Sequence, residues 1–270
     1  MAFSVLMSLY YKERPEYLLQ SLNSVFSQTL KATEVILVED GPITKELKDV
    51  VNYFESKYKE LKVIPLPTNR GLGCALNEGL KFCNFDLVVR MDTDDISCPD
   101  RFEKQILFMN EHPDVDICGS WLQEFQNDIS NKLRIKEVPI SHKEISNYLK
   151  SRNPLNHPSV IVKKNAIINA GGYKSFPLFE DYYLWARMYM NGCIFANIPE
   201  CLVYFRVSSD MYKRRGGFRY AKDSAIFQWE LHKLGLTSTT TAIKASILRG
   251  LVYILPNSLR ALIYTKFLRS

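Results

Sequence analysis

The chain contains little of what builds a cysteine- or histidine-based metal site. Its six cysteines are scattered through 270 residues without a CxxC pair, and its four histidines do not cluster. This pattern disfavours both a zinc site and a disulfide framework. We therefore expect small buried thiols in a reducing compartment.

Long hydrophobic runs are also missing from the sequence. No stretch is long enough to span a bilayer. The N-terminal segment MAFSVLMSLYYKER has only a short apolar run and no basic residues ahead of it, so it does not resemble a signal peptide. We therefore expect a cytoplasmic protein of ordinary globular composition, with 46% hydrophobic and 24% charged residues.

Acidic residues are scarce at the C-terminal end. Residues 211–270 contain eleven Lys or Arg residues but only Asp223 and Glu230 as acids. The overall charge of +6 is therefore concentrated in this segment. An anionic partner should bind there rather than on the first 210 residues.

Strand-like and helix-like segments alternate in the first half of the chain. The strands are predicted at FSVLMSL, EVILVED, LKVIPL and FDLVVRM, with amphipathic helical patterns between them. Such alternation predicts an α/β fold with a mostly parallel, Rossmann-like sheet and helices on both faces. From about Gly217 onward the pattern is helical, so we expect further helices at the C-terminal end. The carboxyl ends of the strands should then converge on one cleft, bringing together Ser8, Tyr10, Glu39, Asp40 and the acids that follow position 91.

The most informative stretch is RMDTDD, which places Asp92, Asp94 and Asp95 at the end of the fourth predicted strand. Carboxylates so close together repel one another unless a cation neutralises them. Magnesium and manganese are hard cations that prefer such oxygen ligands, together with substrate phosphates. The alternative is that one of these acids caps a helix that begins near Pro99.

The segment NRGLGCALNEG follows the third predicted strand and suggests a nucleotide-binding loop. It lacks the third glycine of a dinucleotide fingerprint and lies after the wrong strand, so a Rossmann dehydrogenase is disfavoured. Gly71 and Gly73 would still let backbone N–H groups approach a phosphate or a sugar. A tight loop without a ligand explains the same glycines.

Three further segments have both a functional and a structural interpretation. Glu180 and Asp181 in FEDYYLW are candidates for a general base, although acids also favour the first turn of a helix. His157 in NHPS either supports the site through a hydrogen bond or is structural. Arg214 and Arg215 in KRRGG suit a diphosphate, or form a solvated basic loop.

Taken in order, FSVLMSLYY, VEDG, NRGLGCALNEG, RMDTDD, GGY and FEDYYLW resemble glycosyltransferase family 2 over roughly the first 210 residues. The resemblance implies a GT-A fold that binds a nucleotide-sugar with Mn²⁺ or Mg²⁺. It differs from the usual pattern in having Ser8-Leu9-Tyr10 after the first strand and Glu39-Asp40 after the second. The resemblance implies that Ser8, Tyr10 and Asp40 hold the uridine, that Asp92 and Asp94 hold the metal, and that Asp181, or else Glu180, is the base. We also expect Asn69, Gly71 and Asp92 to contact the donor, and Arg214 and Arg215 to bind a diphosphate of either the donor or the lipid-linked acceptor.

The resemblance is strongest to bacterial enzymes that extend a GlcNAc-diphospho-undecaprenol lipid. It implies an inverting transferase that moves galactose or glucose from a UDP-sugar to an undecaprenyl-diphosphate-linked sugar in O-antigen or capsule assembly. The alternatives are a metal-dependent nucleotidyltransferase and a basic module that binds membranes or nucleic acid; for the transferase, we expect no nucleic-acid partner.

We expect a catalytic domain over residues 1–236 and a basic amphipathic tail over residues 237–270. Apolar residues recur at helical spacing in this tail between lysines and arginines, which suits the cytoplasmic face of the inner membrane. The alternative is a helix packed on the catalytic domain with its basic side in water.

Overall fold

The protein is described from a computed structural model, whose described residues are 1–176, 178–207 and 216–255. The strands are β1 Phe3–Leu9, β2 Glu34–Glu39, β3 Leu61–Pro65, β4 Leu87–Asp92, β5 Ile96–Ser97, β6 Ile117–Gln126, β7 Asp128–Lys136, β8 Ile161–Lys163 and β9 Phe195–Arg206. The helices are α1 Pro15–Phe26, α2 Lys45–Lys57, α3 Leu72–Phe82, α4 Arg101–Glu111, α5 His142–Leu149, α6 Lys164–Asn169, α7 Glu180–Met190, α8 Phe218–Lys233 and α9 Thr239–Ile254. A short 3-10 helix, His157–Ser159, precedes β8.

All of these strands belong to one sheet, in the order β3-β2-β1-β4-β8-β6-β9-β5, with β7 paired to β6. The strands β3, β2, β1 and β4 are parallel, as the alternating pattern predicts. In this register Ser8 lies beside Asp92, and Leu9 lies beside Glu39. The predicted convergence of these strand ends is therefore confirmed.

The second half of the sheet is mixed rather than parallel. Strand β8 runs antiparallel to both β4 and β6, whereas β6 and β9 are parallel to each other. Strand β8 is only three residues long, because Pro158 lies in the 3-10 helix before it. Strand β7 has no buried side, so no alternation of apolar residues revealed it.

The parallel half of the sheet is covered on both faces because its strands are apolar on both sides. One core contains Val5, Met7, Val35 and Leu37 and packs against α1, α2 and α4. The other contains Leu6, Ile36, Val38 and Val88 with residues of α3, α5, α6, α7 and α8. Three of the six free cysteines, Cys83, Cys98 and Cys118, are buried, as expected of structural thiols.

The C-terminal helices form an antiparallel pair on the second core. Helix α8 packs against α7, and α9 returns along α8. The ring of Tyr253 lies edge-on to Tyr220 at 4.6 Å, and the Tyr253 carbonyl accepts a hydrogen bond from Gly217 N at 2.9 Å. The first helix of the predicted tail therefore contacts the catalytic domain, and residues 256–270 lie outside the described residues. No helix within the described ranges is long and apolar enough to cross a membrane.

Candidate active site

Three carboxylates meet at the carboxyl end of β4. One oxygen each of Asp92, Asp94 and Asp95 lies within 4.8 Å of the others. Asp92 ends the strand, and the other two follow in the turn before β5. Asp100, after β5, is the residue that immediately precedes α4. Neither Asp94 nor Asp95 caps α4, since that helix begins at Arg101, so the capping interpretation is wrong.

The three acids have different surroundings. Asp92 forms an ion pair with Arg90, whose side chain is almost fully buried beside it. Asp95 is fully buried, and one of its oxygens accepts a hydrogen bond from Arg206 N at 2.8 Å. The Arg206 Nε atom donates to the Asp94 carbonyl at 2.8 Å. Asp95 therefore anchors the turn, and the carboxylates of Asp92 and Asp94 remain as the more exposed pair.

The close approach of these acids changes their protonation. Loss of hydration, reinforced by Asp92 and Glu13, raises the pKa of Asp94 from 3.8 to about 7. Burial, followed by repulsion from Asp94 and Asp92, raises the pKa of Asp95 well above its ordinary value. A divalent cation would remove this repulsion and favour the ionised carboxylates, so the residues fit a metal.

Glu13 is a fourth acid at this site, and no sequence signal had pointed to it. It lies in the loop between β1 and α1, and its carboxylate accepts a hydrogen bond from the Thr93 hydroxyl at 3.0 Å. Burial raises the pKa of Glu13, and the nearby Asp92 adds to this effect. Glu13 and Thr93 are 80 residues apart in the sequence, and they meet because the loop after β1 and the turn after β4 lie at the same edge of the sheet.

Arg206 was also missed, because its sequence context is an ordinary apolar strand. Its guanidinium stacks on the Tyr17 ring at 3.9 Å and donates to Gln20 Oε1 at 2.6 Å. Together with its bonds to the acidic turn, these contacts join β9, α1 and the β4–β5 turn. Arg206 therefore holds the turn that carries Asp94 and Asp95 in place.

The loop that contains Asn69 and Gly71 is held against the end of β2 by Asp40. Its carboxylate accepts hydrogen bonds from the backbone N–H groups of Arg70 at 2.7 Å and Gly71 at 2.9 Å, while Asn69 Nδ2 donates to the Asp40 carbonyl at 3.0 Å. Gly71 has a φ of +87°, which favours glycine. Asp40 thus organises the loop that was assigned to the donor, and its proposed contact with uridine stays a prediction.

Ser8 and Tyr10 lie on the same edge. Ser8 is next to Asp92 in the sheet, and its carbonyl lies 3.4 Å from the Thr93 hydroxyl. The Tyr10 side chain is 38% exposed, and its ring lies edge-on to that of Tyr11 at 6.0 Å. An exposed aromatic ring at a strand end is able to stack on a planar base.

Glu180 and Asp181 occupy the first turn of α7, as the sequence predicts. One Asp181 oxygen accepts a hydrogen bond from Asn153 Nδ2 at 2.7 Å, and the other from Tyr182 N at 2.7 Å. Burial raises the pKa of Glu180. A Cβ added to Gly73 would lie 3.6 Å from Glu180 Cγ, so the start of α7 packs closely on the start of α3.

The buried phenol of Tyr173 is influenced electrostatically both by the acids after β4 and by those at the start of α7. Its pKa is raised by burial, and the charges of both Asp181 and Asp92 act on it. Its hydroxyl lies 3.0 Å from His157 Nε2. Burial, reinforced by Arg90, lowers the pKa of His157, so this imidazole is neutral. His157 is therefore a half-buried hydrogen-bonding partner of Tyr173.

The Asn77 side chain fixes this tyrosine to α3. Its amide donates to the Tyr173 carbonyl at 2.7 Å and accepts from Tyr173 N at 2.8 Å. The motifs NEG and GGY, which are far apart in the sequence, are thus in direct contact: Asn77 of α3 binds Tyr173 in the segment before α7. Arg214 and Arg215 lie outside the described residues, so their predicted diphosphate contacts remain predictions.

Residues 4–173 match the family described as Glycosyl transferase family 2. The chain is 42% identical over 267 residues to the UDP-Gal:alpha-D-GlcNAc-diphosphoundecaprenol beta-1,3-galactosyltransferase of Escherichia coli, covering 99% of this chain and 96% of the relative. It is 41% identical over 267 residues, with the same coverage, to the amylovoran biosynthesis glycosyltransferase AmsE of Erwinia amylovora.

A solved structure, S. aureus TarS 1-349 in complex with UDP-GlcNAc, aligns with a TM-score of 0.66 at 18% identity, covering 99% of this chain and 72% of that chain. At that identity the likeness concerns the fold alone. The predicted GT-A fold is confirmed. With a family match over more than half of its length and relatives above 40% identity across it, the chain belongs to glycosyltransferase family 2.

Proposed function

We propose that this glycosyltransferase moves galactose or glucose from a UDP-sugar to an undecaprenyl-diphosphate-linked sugar in the assembly of a bacterial surface polysaccharide such as O-antigen. The observation that carries the proposal is the triplet Asp92, Asp94 and Asp95 at the edge of the sheet, beside Ser8 and near the loop held by Asp40. The E. coli relative, which matches over 96% of its length, is named for a UDP-galactose donor and a GlcNAc-diphosphoundecaprenol acceptor. Its name therefore supports a UDP-sugar donor and a lipid-diphosphate-linked acceptor for this chain.

Asp92 and Asp94 would hold Mn²⁺ or Mg²⁺ in this proposal. Their carboxylate oxygens lie close enough to share one ion, and the raised pKa of Asp94 marks a site where a cation relieves repulsion. When bound, the ion would stabilise the charge on the departing diphosphate. Ser8, Tyr10 and Asp40 would hold the uridine end, with Asn69 and Gly71 along the loop. Metal-independent binding of UDP would argue against this arrangement.

Asp181 is the proposed general base, and Glu180 is the alternative. The hydroxyl of the acceptor sugar attacks the anomeric carbon of the donor, and its proton passes to the carboxylate of Asp181. The bond between the anomeric carbon and the diphosphate oxygen breaks, and UDP leaves. A single displacement inverts the anomeric centre, so a protein nucleophile is not required.

Asp181 has two features that support this role. Its hydrogen bond from Asn153 holds one carboxylate oxygen in a defined orientation and favours the ionised form that a base requires. Burial raises the pKa of the Tyr173 phenol, and the charges of Asp181 and Asp92 both raise it further, so Asp181 is electrostatically close to the same buried group as the proposed metal ligand Asp92. Glu180 instead packs against Gly73 at the start of α3.

The proposal gives the C-terminal end two binding partners, a diphosphate group and the inner membrane. Arg214 and Arg215 would bind a diphosphate, since guanidinium groups pair bidentately with phosphate oxygens. The basic tail over residues 237–270 would keep the enzyme on the cytoplasmic face of the inner membrane, where a lipid-linked acceptor is located. Family membership argues against the nucleotidyltransferase and nucleic-acid alternatives.

Transfer from radiolabelled UDP-galactose and UDP-glucose to a GlcNAc-diphosphate-lipid analogue tests the proposal directly. We expect transfer from one of these donors with Mn²⁺ or Mg²⁺ present and none with EDTA. Asp181→Asn should lose at least about a hundredfold in kcat while still binding UDP, because the base acts on the acceptor. If Asp181→Asn kept near-normal turnover, Glu180→Gln would be the variant to examine as the base.

A further inference from the structure

The outward side of α8 carries a stripe of bulky apolar and basic residues. Phe218 is 78% exposed, Ile226 44% and Trp229 40%. Lys222 and Lys233, both exposed, share this side, since the five residues are spaced at three- and four-residue intervals. We call these five residues the α8 stripe. Exposed apolar residues on a protein surface are usually scattered singly, whereas here Phe218, Ile226 and Trp229 share one helix face.

The opposite side of α8 is fixed to the catalytic machinery. Phe227 stacks on Phe179 at 4.6 Å, and Tyr220 stacks on the same ring at 5.5 Å. Phe179 immediately precedes the acids at the start of α7. The hydroxyl of Tyr183 also lies 3.3 Å from a Glu230 oxygen. The α8 stripe is therefore the outer surface of the helix that covers the base-bearing helix α7.

Helix α9 adds a second exposed apolar face next to the first. Ile243, Ile247, Leu248 and Leu251 are between 44% and 65% exposed. The helix itself is anchored, because Ala242 and Tyr253 are buried against the rest of the protein. Exposed apolar side chains on an anchored helix do not serve the packing of this helix, so they are available to a partner.

The charges of this helix pair favour an anionic partner. Residues 216–255 contain Arg219, Lys222, Lys233, Lys244 and Arg249, against Asp223 and Glu230. Glu230 pairs with Lys233 at 2.8 Å, so these two charges largely offset each other. The excess positive charge then comes from Arg219, Lys222, Lys244 and Arg249 against Asp223. Aromatic and aliphatic side chains interspersed with lysine and arginine are typical of helices that lie in a bilayer interface.

We infer that the outer face of the α8–α9 pair, and in particular the α8 stripe, docks on an anionic lipid bilayer. Phe218, Ile226 and Trp229 enter the interface while Lys222 and Lys233 contact the headgroups. The choice of a lipid partner rests on the proposed lipid-linked acceptor. The inference adds a docking surface inside the region assigned to the catalytic domain, ahead of the tail at residues 237–270. Docking through α8 would hold α7 and its acids at a constant height above the membrane.

The fluorescence of Trp229 provides a direct test on the full-length protein. Of the three tryptophans, Trp185 is fully buried and the indole of Trp121 donates to the Val138 carbonyl at 3.0 Å, so Trp229 is the exposed reporter. Vesicles of phosphatidylglycerol and phosphatidylcholine should shift the emission to shorter wavelength, and brominated acyl chains should quench it. Trp229→Phe should remove both responses.

A matched pair of variants separates docking from general hydrophobicity. Ile226→Gln combined with Trp229→Gln should require at least about tenfold more anionic lipid for half-maximal sedimentation. Leu107→Gln on α4 and Leu133→Gln on β7 remove apolar residues of similar exposure, 54% and 49%, and should leave sedimentation unchanged. Lys222→Glu should weaken binding, and added salt should reduce the difference from the wild type.

Activity on a water-soluble acceptor analogue distinguishes this inference from the proposed function. The α8 variants should keep wild-type turnover on that analogue and lose it selectively on acceptor embedded in vesicles. Vesicle binding equal to that of the wild type would overturn the inference even if the enzyme is active. So would a double variant that changes a dimer to a monomer with unchanged vesicle binding, because the stripe would then contact a second copy of the chain.

Discussion

Asp94 combines a half-buried position with two acidic neighbours, and its protonation should therefore affect the stability of the protein. Its pKa of about 7 exceeds the ordinary value of 3.8, so the folded state binds a proton that the unfolded state releases between these values. The free energy of unfolding of the metal-free protein should consequently fall as pH rises from about 4 to about 7.

Urea unfolding in EDTA across this pH range tests the effect, with Asp94→Asn as the control. The variant should show a flatter dependence on pH than the wild type, since it carries no titrating group at position 94. Added Mn²⁺ should stabilise the wild type more at pH 8 than at pH 6, because the ion binds the ionised carboxylate. Identical pH profiles for the two proteins would contradict the assignment.

Asn153 is a positioning residue for the proposed base. It holds Asp181 through a hydrogen bond of 2.7 Å, which favours the charged carboxylate. Asn153→Ala should lower kcat about tenfold and move the acidic limb of the pH profile of kcat to higher pH, with the KM for the UDP-sugar little changed. Steady-state kinetics between pH 5 and pH 9 would measure both effects.

Asn153→Asp provides the matched comparison. A second carboxylate beside Asp181 should move the acidic limb further to higher pH than alanine does, because like charges disfavour ionisation. If both variants reduced kcat without any change in the shape of the profile, Asn153 would have only a structural role in the loop before the 3-10 helix.

Single elements acquire their function here from the loops that join them. Gly41 follows β2 with a φ of +84°, and a Cβ at this position would lie 2.5 Å from the backbone N of Asn69. The close approach of these two segments lets Asp40 bind the loop at Arg70 and Gly71. Glycine is therefore required at residue 41 for both backbone conformation and space.

Gly41→Ala should destabilise the protein by about 2 kcal/mol through strain and displacement of the loop. The KM for the UDP-sugar should rise as well, because the displaced loop was assigned to the donor. Gly192→Ala is a suitable control, since Gly192 also has a positive φ of +84° but has nothing within 4 Å of an added Cβ. Its loss of stability should be smaller, and its KM should be unchanged; equal KM values for both variants would remove the loop from the donor site.

At the scale of the whole molecule, we expect the strand ends, the loop at residues 69–71 and the start of α7 to form one binding cleft, to which both halves of the chain contribute. A ligand bound there should stabilise the complete domain. UDP together with Mn²⁺ should raise the Tm by several degrees, more than either does alone, because both bind only the folded state. Differential scanning fluorimetry with UDP, GDP, ATP and EDTA controls would measure this, and an equal shift with ATP would contradict UDP selectivity.

Much of the parallel half of the fold could be predicted from the sequence. Strands such as FSVLMSL and EVILVED are continuous apolar runs bounded by polar residues, and the carboxyl ends of parallel strands must lie at one edge. The sequence therefore predicted that the acids of RMDTDD lie at this edge of the sheet, and that Glu180 and Asp181 lie at the start of a helix. The sequence was less informative for β7, which is exposed on both sides, and for β8, where Pro158 shortens the strand.

What the sequence by itself determined is the set of local patterns: the alternation of strands and helices, the acids at the end of β4 and the motifs of the family. Only the tertiary structure decided how these acids differ. Asp95 is buried on the backbone of Arg206, 111 residues away, and Glu13 reaches Thr93 from a loop 80 residues earlier. Roles of this kind depend on burial and on partners distant in sequence, which local periodicity does not encode, because side-chain chemistry is set by the neighbours that folding brings together.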